Sequence, residues 1–234
     1  LSEIWADLVQ FEFPTAWPPW LSEQLAVAVL LVVVLATALA WYLGWQQKRR
    51  RTHRMLVAVN DAAFGRCLPR SKTGAWGFAV SVEPPPEHFR EFNISYQPVS
   101  ILHPLDFLRR TLGRQKSTLQ ISGVLLDAPT AEIVWVRGQP PMRALGVSPG
   151  RSPWVQSRLD YVGMDYATRG TNVAALRHLF QDMIARFAPI LHSLTIQRER
   201  RPHVRMVAQG RIDARDVSPL ITIARSLGRA AMMR

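Results

Sequence analysis

The sequence predicts a single transmembrane helix followed by a cytoplasmic α+β domain, an antiparallel sheet with helices packed on one face and a split βαβ-like C-terminal part. Three observations carry this reading. Leu25 to Trp45 is a run of 21 residues without a charged side chain, about 31 Å long as a helix and enough to cross the hydrocarbon core of a bilayer. The basic cluster Lys48-Arg49-Arg50-Arg51 follows almost at once. Beyond it, short β-rich runs bounded by Asn, Gly and Pro alternate with segments of helical periodicity.

Charge sets the orientation expected of the span. All 29 Lys and Arg lie at or after Lys48, whereas four of the 17 acids (Glu3, Asp7, Glu12 and Glu23) precede it, leaving −4 before the cluster and +16 from it onward. An excess of basic residues just past a span marks its cytoplasmic side. The expectation is therefore a single-pass protein of the inner (plasma) membrane with its N-terminus outside. It divides into an extracytoplasmic aromatic-rich arm (1–20), the transmembrane helix (21–45), a basic juxtamembrane segment (46–54) and a cytoplasmic α+β domain (55–234). A secretory signal has a basic leader and an apolar core of about 7–15 residues. Here the leader is acidic and the run longer, which points to a retained anchor.

In the arm, Ile4, Trp5, Leu8 and Val9 fall at helical spacing until Pro14. Trp17 and Trp20 at one end of the span, and Trp41, Tyr42 and Trp45 at the other, form the aromatic belts expected where bilayer meets water. So many aromatics also suit docking against another membrane protein. Apart from the belt, Thr37 is the one polar side chain in the run. No ionisable group sits at membrane depth, which argues against haem ligation, a proton path or an ion site there. Lys48, Arg49, Arg50 and Arg51 lead a stretch, residues 48–54, expected to attract anionic lipids, at about 1 kcal/mol per basic residue.

The domain reads next as strands at Met55–Val59, Trp76–Val82 and Phe92–Val99. His103 to Arg114 reads as a basic amphipathic helix with Leu105, Leu108 and Leu112 as its stripe, packed on the sheet or lying on the membrane surface. Ser117–Leu126 and Ala131–Val136 read as a hairpin turning at Asp127-Ala128-Pro129-Thr130. Gly138–Pro153 is a Pro/Gly-rich loop without periodicity, and Ser157–Tyr166 a strand. A helix then runs from a Thr171 or Asn172 cap to about Ala188, ended by Pro189. Strands at Leu191–Gln197 and His203–Ala208 precede a last helix, opened by Asp213 or Ser218 with Pro219 in its first turn and closed by Gly228.

Motifs for chemistry fail on inspection. Gly146-Val147-Ser148-Pro149-Gly150 has the spacing of a nucleophile elbow, with Asp182 and His192 in the right chain order. The elbow needs the N–H of the residue after the serine, and Pro149 has none. The same stretch lacks the glycine spacing and the lysine of a phosphate-binding loop. Cys67 is the sole cysteine, and the six histidines fall in no metal-ligand pattern. Asp160, Asp165 and Arg169 crowd the helix cap at Thr171, so Arg169 and Thr171 are the candidate anion contact, with capping and loop pairing as the alternative. Arg198, Arg200, Arg201 and Arg205 lack an aromatic platform, and nucleic-acid binding is not favoured. The sequence offers no catalytic, cofactor-binding or metal residue.

The layout of acidic aromatic arm, anchor with Lys48-Arg49-Arg50-Arg51, and small Arg-rich cytoplasmic domain resembles the accessory single-span subunits of bacterial respiratory and photosynthetic electron-transfer complexes, such as alternative complex III of filamentous phototrophs. The resemblance implies neighbouring subunits that carry haem, iron–sulfur and quinone sites, and a bracing or assembling role here with no cofactor ligated by this chain. The expectation is a non-enzymatic accessory subunit whose partners are other membrane subunits. The alternative is a membrane-anchored basic module binding anionic lipid, nucleotide or nucleic acid.

Overall fold

The computed structural model describes residues 19–100, 106, 116–146, 153–159 and 164–233. The arm with Trp17, the expected helix at 103–114 except Asp106, the elbow-like residues 147–150 and Asp160 lie outside them. Helix α1 spans Pro19–Ala62, 44 residues or about 66 Å, and none of its most apolar window is buried against the rest of the protein. It is a single N-terminal apolar helix consistent with one membrane span. Its lone polar side chain in that stretch, Thr37, donates its hydroxyl to Val33 O at 2.7 Å, so no polar group there is left unpaired.

The expected strand at Met55–Val59 does not form, because α1 continues through it. Met55, Val59 and Ala62 recur at i, i+4 and i+7 and are buried, while Arg54, Val57 and Asn60 are exposed. A short apolar run fits either helix or strand, and here it is settled by packing against the C-terminal helix and by the low cost of extending a helix already nucleated.

Among the described residues nine strands follow: β1 (Arg66–Pro69), β2 (Phe78–Glu83), β3 (Phe89–Gln97), β4 (Thr118–Leu125), β5 (Ala131–Val136), β6 (Val155–Leu159), β7 (Met164–Gly170), β8 (Leu191–Ile196) and β9 (Val204–Gln209). They form one sheet in the order β1-β2-β3-β4-β9-β8-β5-β7-β6, every neighbouring pair antiparallel. Besides α1, the helices with described bounds are α2 (Pro141–Leu145), α3 (Val173–Phe187) and α4 (Ala214–Met232). Strands β7 and β8 both run antiparallel to β5, which lies between them, so β7-α3-β8 is a split βαβ unit as expected. The C-terminal end of α1, α4 and α3 cover one face. Leu176, Phe180 and Met183 of α3 and Val217, Leu220, Ala224 and Leu227 of α4 join Phe92, Ile94, Ile121, Ile133 and Trp135 of the sheet in one core.

Several local expectations are corrected. β4 and β5 are not a hairpin, since β9 and β8 are inserted between them. Asp127–Thr130 instead crosses to the end of α4, where Thr130 N–H donates to Ala231 O at 2.8 Å and its hydroxyl to the same carbonyl at 3.0 Å. The single strand expected at Ser157–Tyr166 is two, β6 and β7, paired in register from Val155↔Thr168 to Leu159↔Met164. Within the supposed loop, α2 forms and ends on Gly146 at φ 71°. It packs Met142 with Val134, Trp154 and Ala167 on the opposite face of the sheet from α3 and α4.

At α3, Asn172 holds the cap position in the left-handed region with no side-chain capping bond. α4 starts at Asp213, whose N–H donates to the Asp216 carboxylate at 2.9 Å, so Pro219 lies past the first turn. Gly228 does not close α4, which runs on to Met232. It is a packing residue: a Cβ there would lie 2.3 Å from the Phe89 ring, and one on Gly123 would lie 2.4 Å from the same ring.

Candidate functional site

The two sides of α1 between Trp41 and Arg54 face different surroundings. Gly44, Lys48 and Thr52 recur every fourth residue and are buried. The Lys48 ammonium meets the Asp106 carboxylate at 2.6 Å, with both side chains under 5% exposed. Asp106 Oδ2 also accepts the Ser100 N–H at 3.1 Å. The Ser100 hydroxyl donates to Gln47 Oε1 at 2.5 Å, and Arg51 Nη1 donates to Val99 O at 3.3 Å. Three polar side chains within little more than one helical turn, Gln47, Lys48 and Arg51, thus strap the segment after β3 onto the helix. A buried ion pair of this kind persists because each charge has the other and further hydrogen bonds.

The β1–β2 connection leans on the same helix. Gly74 and Gly77 exchange two backbone hydrogen bonds at 3.1 Å, a tight turn that puts Ala75 and Trp76 at its tip. Gly77 sits at φ 116°, and a Cβ there would lie 1.9 Å from Tyr96 O, so only glycine fits. Trp76 is 74% exposed, and the Lys48 ammonium lies 4.9 Å from its ring centroid.

On its other side, α1 and this turn enclose an open groove of about 640 Å³. Tyr42, Trp45, Arg49, Thr52 and His53 line the helix wall, and Thr73 and Gly74 the opposite one. Gln46 Nε2 donates to the Tyr42 hydroxyl at 2.6 Å, and the Arg49 guanidinium lies 5.6 Å from the Trp45 ring. Among the described residues no carboxylate lines the groove. Thr52 is 1% exposed, and its Oγ1 has no hydrogen-bond partner among the described residues. Of the expected interfacial set, then, Trp45, Tyr42, Arg49 and Arg50 border the groove, Lys48 is buried beneath it, and Arg51 is tied to the domain. Trp41 is exposed on the same helix, and Trp20 lies in its first turn.

The second candidate, Arg169 and Thr171, is already occupied by the protein. Arg169 stands directly opposite Glu132 across β7 and β5. Its Nε donates to Glu132 Oε2, and its Nη2 reaches Glu199 at 3.4 Å. Hydrogen bonding to Glu132, above all other causes, pushes the Arg169 pKa up. The guanidinium also lies 5.1 Å from the Trp154 ring. The Thr171 N–H donates to Thr130 O at 3.1 Å. The hollow here, about 630 Å³, has Glu132 and Glu199 beside Arg169 and Arg198, and Glu132 Oε1 accepts the Arg198 N–H at 2.7 Å. An incoming anion would have to displace Glu132, a buried carboxylate that would then be left uncompensated. In the structure Arg169 is paired across the strands, whereas no side chain caps α3 at Asn172.

Asp182 pairs with His178 at 3.4 Å on the exposed side of α3. Burial, followed by Arg137 and Lys116, holds the His192 pKa down. Among the described residues no group of three or more His, Cys, Asp or Glu is placed to hold a metal ion. Sequence reasoning missed Asp106, Ser100, Trp76 and the Thr73-Gly74 turn. The available signals were one acid in the basic stretch His103–Arg114 and one Trp in a Gly-rich turn beside Lys72.

No protein-family model matches the chain, and no curated protein matches it in sequence.

Proposed function

We propose that the chain is a non-catalytic, single-span accessory subunit that braces or assembles a larger membrane complex, with its N-terminus outside and its α+β domain in the cytoplasm. The observation that carries the reading is the continuity of α1, whose first part is apolar and unburied and whose last turns supply Met55, Val59 and Ala62 to the domain core. A domain built this way has no linker to swing on, which suits a brace better than a tethered binding module. The unburied apolar helix leaves its whole circumference for lipid or neighbouring helices, and van der Waals packing of the small residues Ala36, Ala38, Ala40 and Gly44 suits the latter. The resemblance in layout makes a respiratory or photosynthetic electron-transfer complex the proposed home.

The test is co-purification. Membranes are solubilised gently, the chain is pulled by a tag after Arg234, and the bound material is washed at high salt. Recovery of a stoichiometric set of membrane proteins with redox cofactors is the expected result. Recovery of the chain alone, or with salt-labile lipid or nucleic acid only, overturns the reading and favours the basic membrane-anchored module, since phosphate contacts weaken steeply with ionic strength.

A further inference from the structure

We infer that the groove between α1 and the Gly74–Gly77 turn is a binding site for the phosphate headgroup of an anionic phospholipid. The site is independent of whether the chain is a subunit of a complex. Depth is the first argument. Arg49 and Arg50 lie four and five residues past Trp45, which is about 6–8 Å along the helix. The headgroup layer beyond each side of the hydrocarbon core is about 5–8 Å thick. The groove therefore opens at the level of lipid phosphates, with Tyr42 and Trp45 at the hydrocarbon boundary where aromatic rings collect. The exposed Trp76, at the tip of the turn that forms the far wall, sits beside the same stretch of helix.

Charge is the second argument. Arg49, Arg50 and His53 line the groove, with no carboxylate among the described residues of its walls. Elsewhere in the juxtamembrane segment Lys48 is taken by Asp106 and Arg51 by Val99 O, and Arg54 is exposed away from the groove. The diffuse basic patch expected over 48–54 thus resolves into a sorted one, with a buried cation holding the fold and the Arg49 and Arg50 guanidiniums bordering the groove. Two arginines side by side suit a phosphodiester, whose oxygens accept paired N–H donors.

The third argument is Thr52. A buried hydroxyl without a partner costs free energy, and helical threonines ordinarily bond the carbonyl a turn earlier. Thr52 lines the groove, and among the described residues its Oγ1 has no partner, the state of a donor kept for a ligand. A phosphate oxygen supplies the missing acceptor. The glycine at position 74, with nothing within 4 Å of where a Cβ would stand, leaves the opposite wall low and open.

The experiment uses the full chain purified in neutral detergent, titrated with phosphatidylglycerol or phosphatidylcholine, with retained lipid counted by native mass spectrometry. Phosphatidylglycerol is expected to be retained about tenfold more tightly. Arg49→Gln/Arg50→Gln is expected to remove that preference. Thr52→Val, which takes away an unpaired hydroxyl and so keeps or raises the melting temperature, is expected to lower it several-fold. Arg54→Gln, exposed in the same segment but not lining the groove, leaves it in place. Equal retention of both lipids overturns the inference, as does an Arg54→Gln loss equal to that of the double variant, which makes the attraction diffuse. Competition by glycerol phosphate at the same concentration as the lipid also overturns it, because the source would then be a soluble phosphate.

Discussion

His203 shows how one side chain sets a pH limit on this fold. It is 7% exposed, and its Nδ1 accepts the Leu125 N–H at 3.1 Å, which requires that nitrogen to be unprotonated. Burial first, and Arg201 second, hold its pKa below the ordinary histidine value of 6.5. Above about pH 6.5 the ring is neutral whether the chain is folded or not, and no stability is lost. As the pH falls below that value the unfolded chain takes up a proton that the folded chain resists, so stability drops until the folded ring is protonated too. Thermal melting of the intact protein between pH 7 and pH 5 is predicted to show this loss. His203→Gln, whose amide oxygen can accept the Leu125 N–H without titrating, should flatten it. Equal pH dependence in the two proteins would contradict the account. His192 is shifted in the same direction, so part of the dependence should survive. The residue scale is also where the sequence misled most. Thr171 and Arg169 stand together before a helix in the sequence, but Arg169 is claimed by Glu132, 37 residues away on the neighbouring strand. No local pattern announces a cross-strand partner.

At the scale of elements, the strap between α1 and the segment after β3 depends on Lys48 and Asp106. Removing one member leaves a buried charge alone and is predicted to cost about 3–5 kcal/mol, whereas replacing both with apolar groups costs much less. Chemical unfolding of Lys48→Met, Asp106→Leu and the double variant would test this. Additive losses in the cycle would mean that the pair is not coupled. Elements with strong local signatures were legible: the apolar run, the amphipathic α3 with Leu176, Phe180, Met183 and Ile184 on its buried face, and the strands β3, β4, β5, β8 and β9, each within three residues of its expected span. What stayed hidden depended on distant contacts. The Met55–Val59 run becomes helix because α4 is there to receive it. Gly228 reads as a helix stop until the Phe89 ring, lodged between it and Gly123, explains the missing side chain. Asp127–Thr130 carries a turn composition that suits a crossover as well as a hairpin, and only the insertion of β8 and β9 decides between them.

On the scale of the whole molecule, the sequence conveyed the plan of anchor, basic collar and α+β domain, but set the collar (46–54) apart from both as a juxtamembrane segment. In the structure the collar is the middle of one helix, with an inner side that closes the domain and an outer side that borders the groove. Both proposals build on that unbroken helix: the brace needs its stiffness, and the headgroup site needs Arg49, Arg50 and Thr52 held at a fixed depth. The most direct test is amide hydrogen exchange on the intact protein in lipid nanodiscs, followed across residues 46–62. Continuous helix predicts exchange slowed at least about 100-fold relative to unstructured chain through Arg49–Arg54 and onward to Ala62, as in the buried α4. Exchange within seconds confined to Arg49–Arg54 would reveal a flexible hinge between membrane and domain, and would contradict the account.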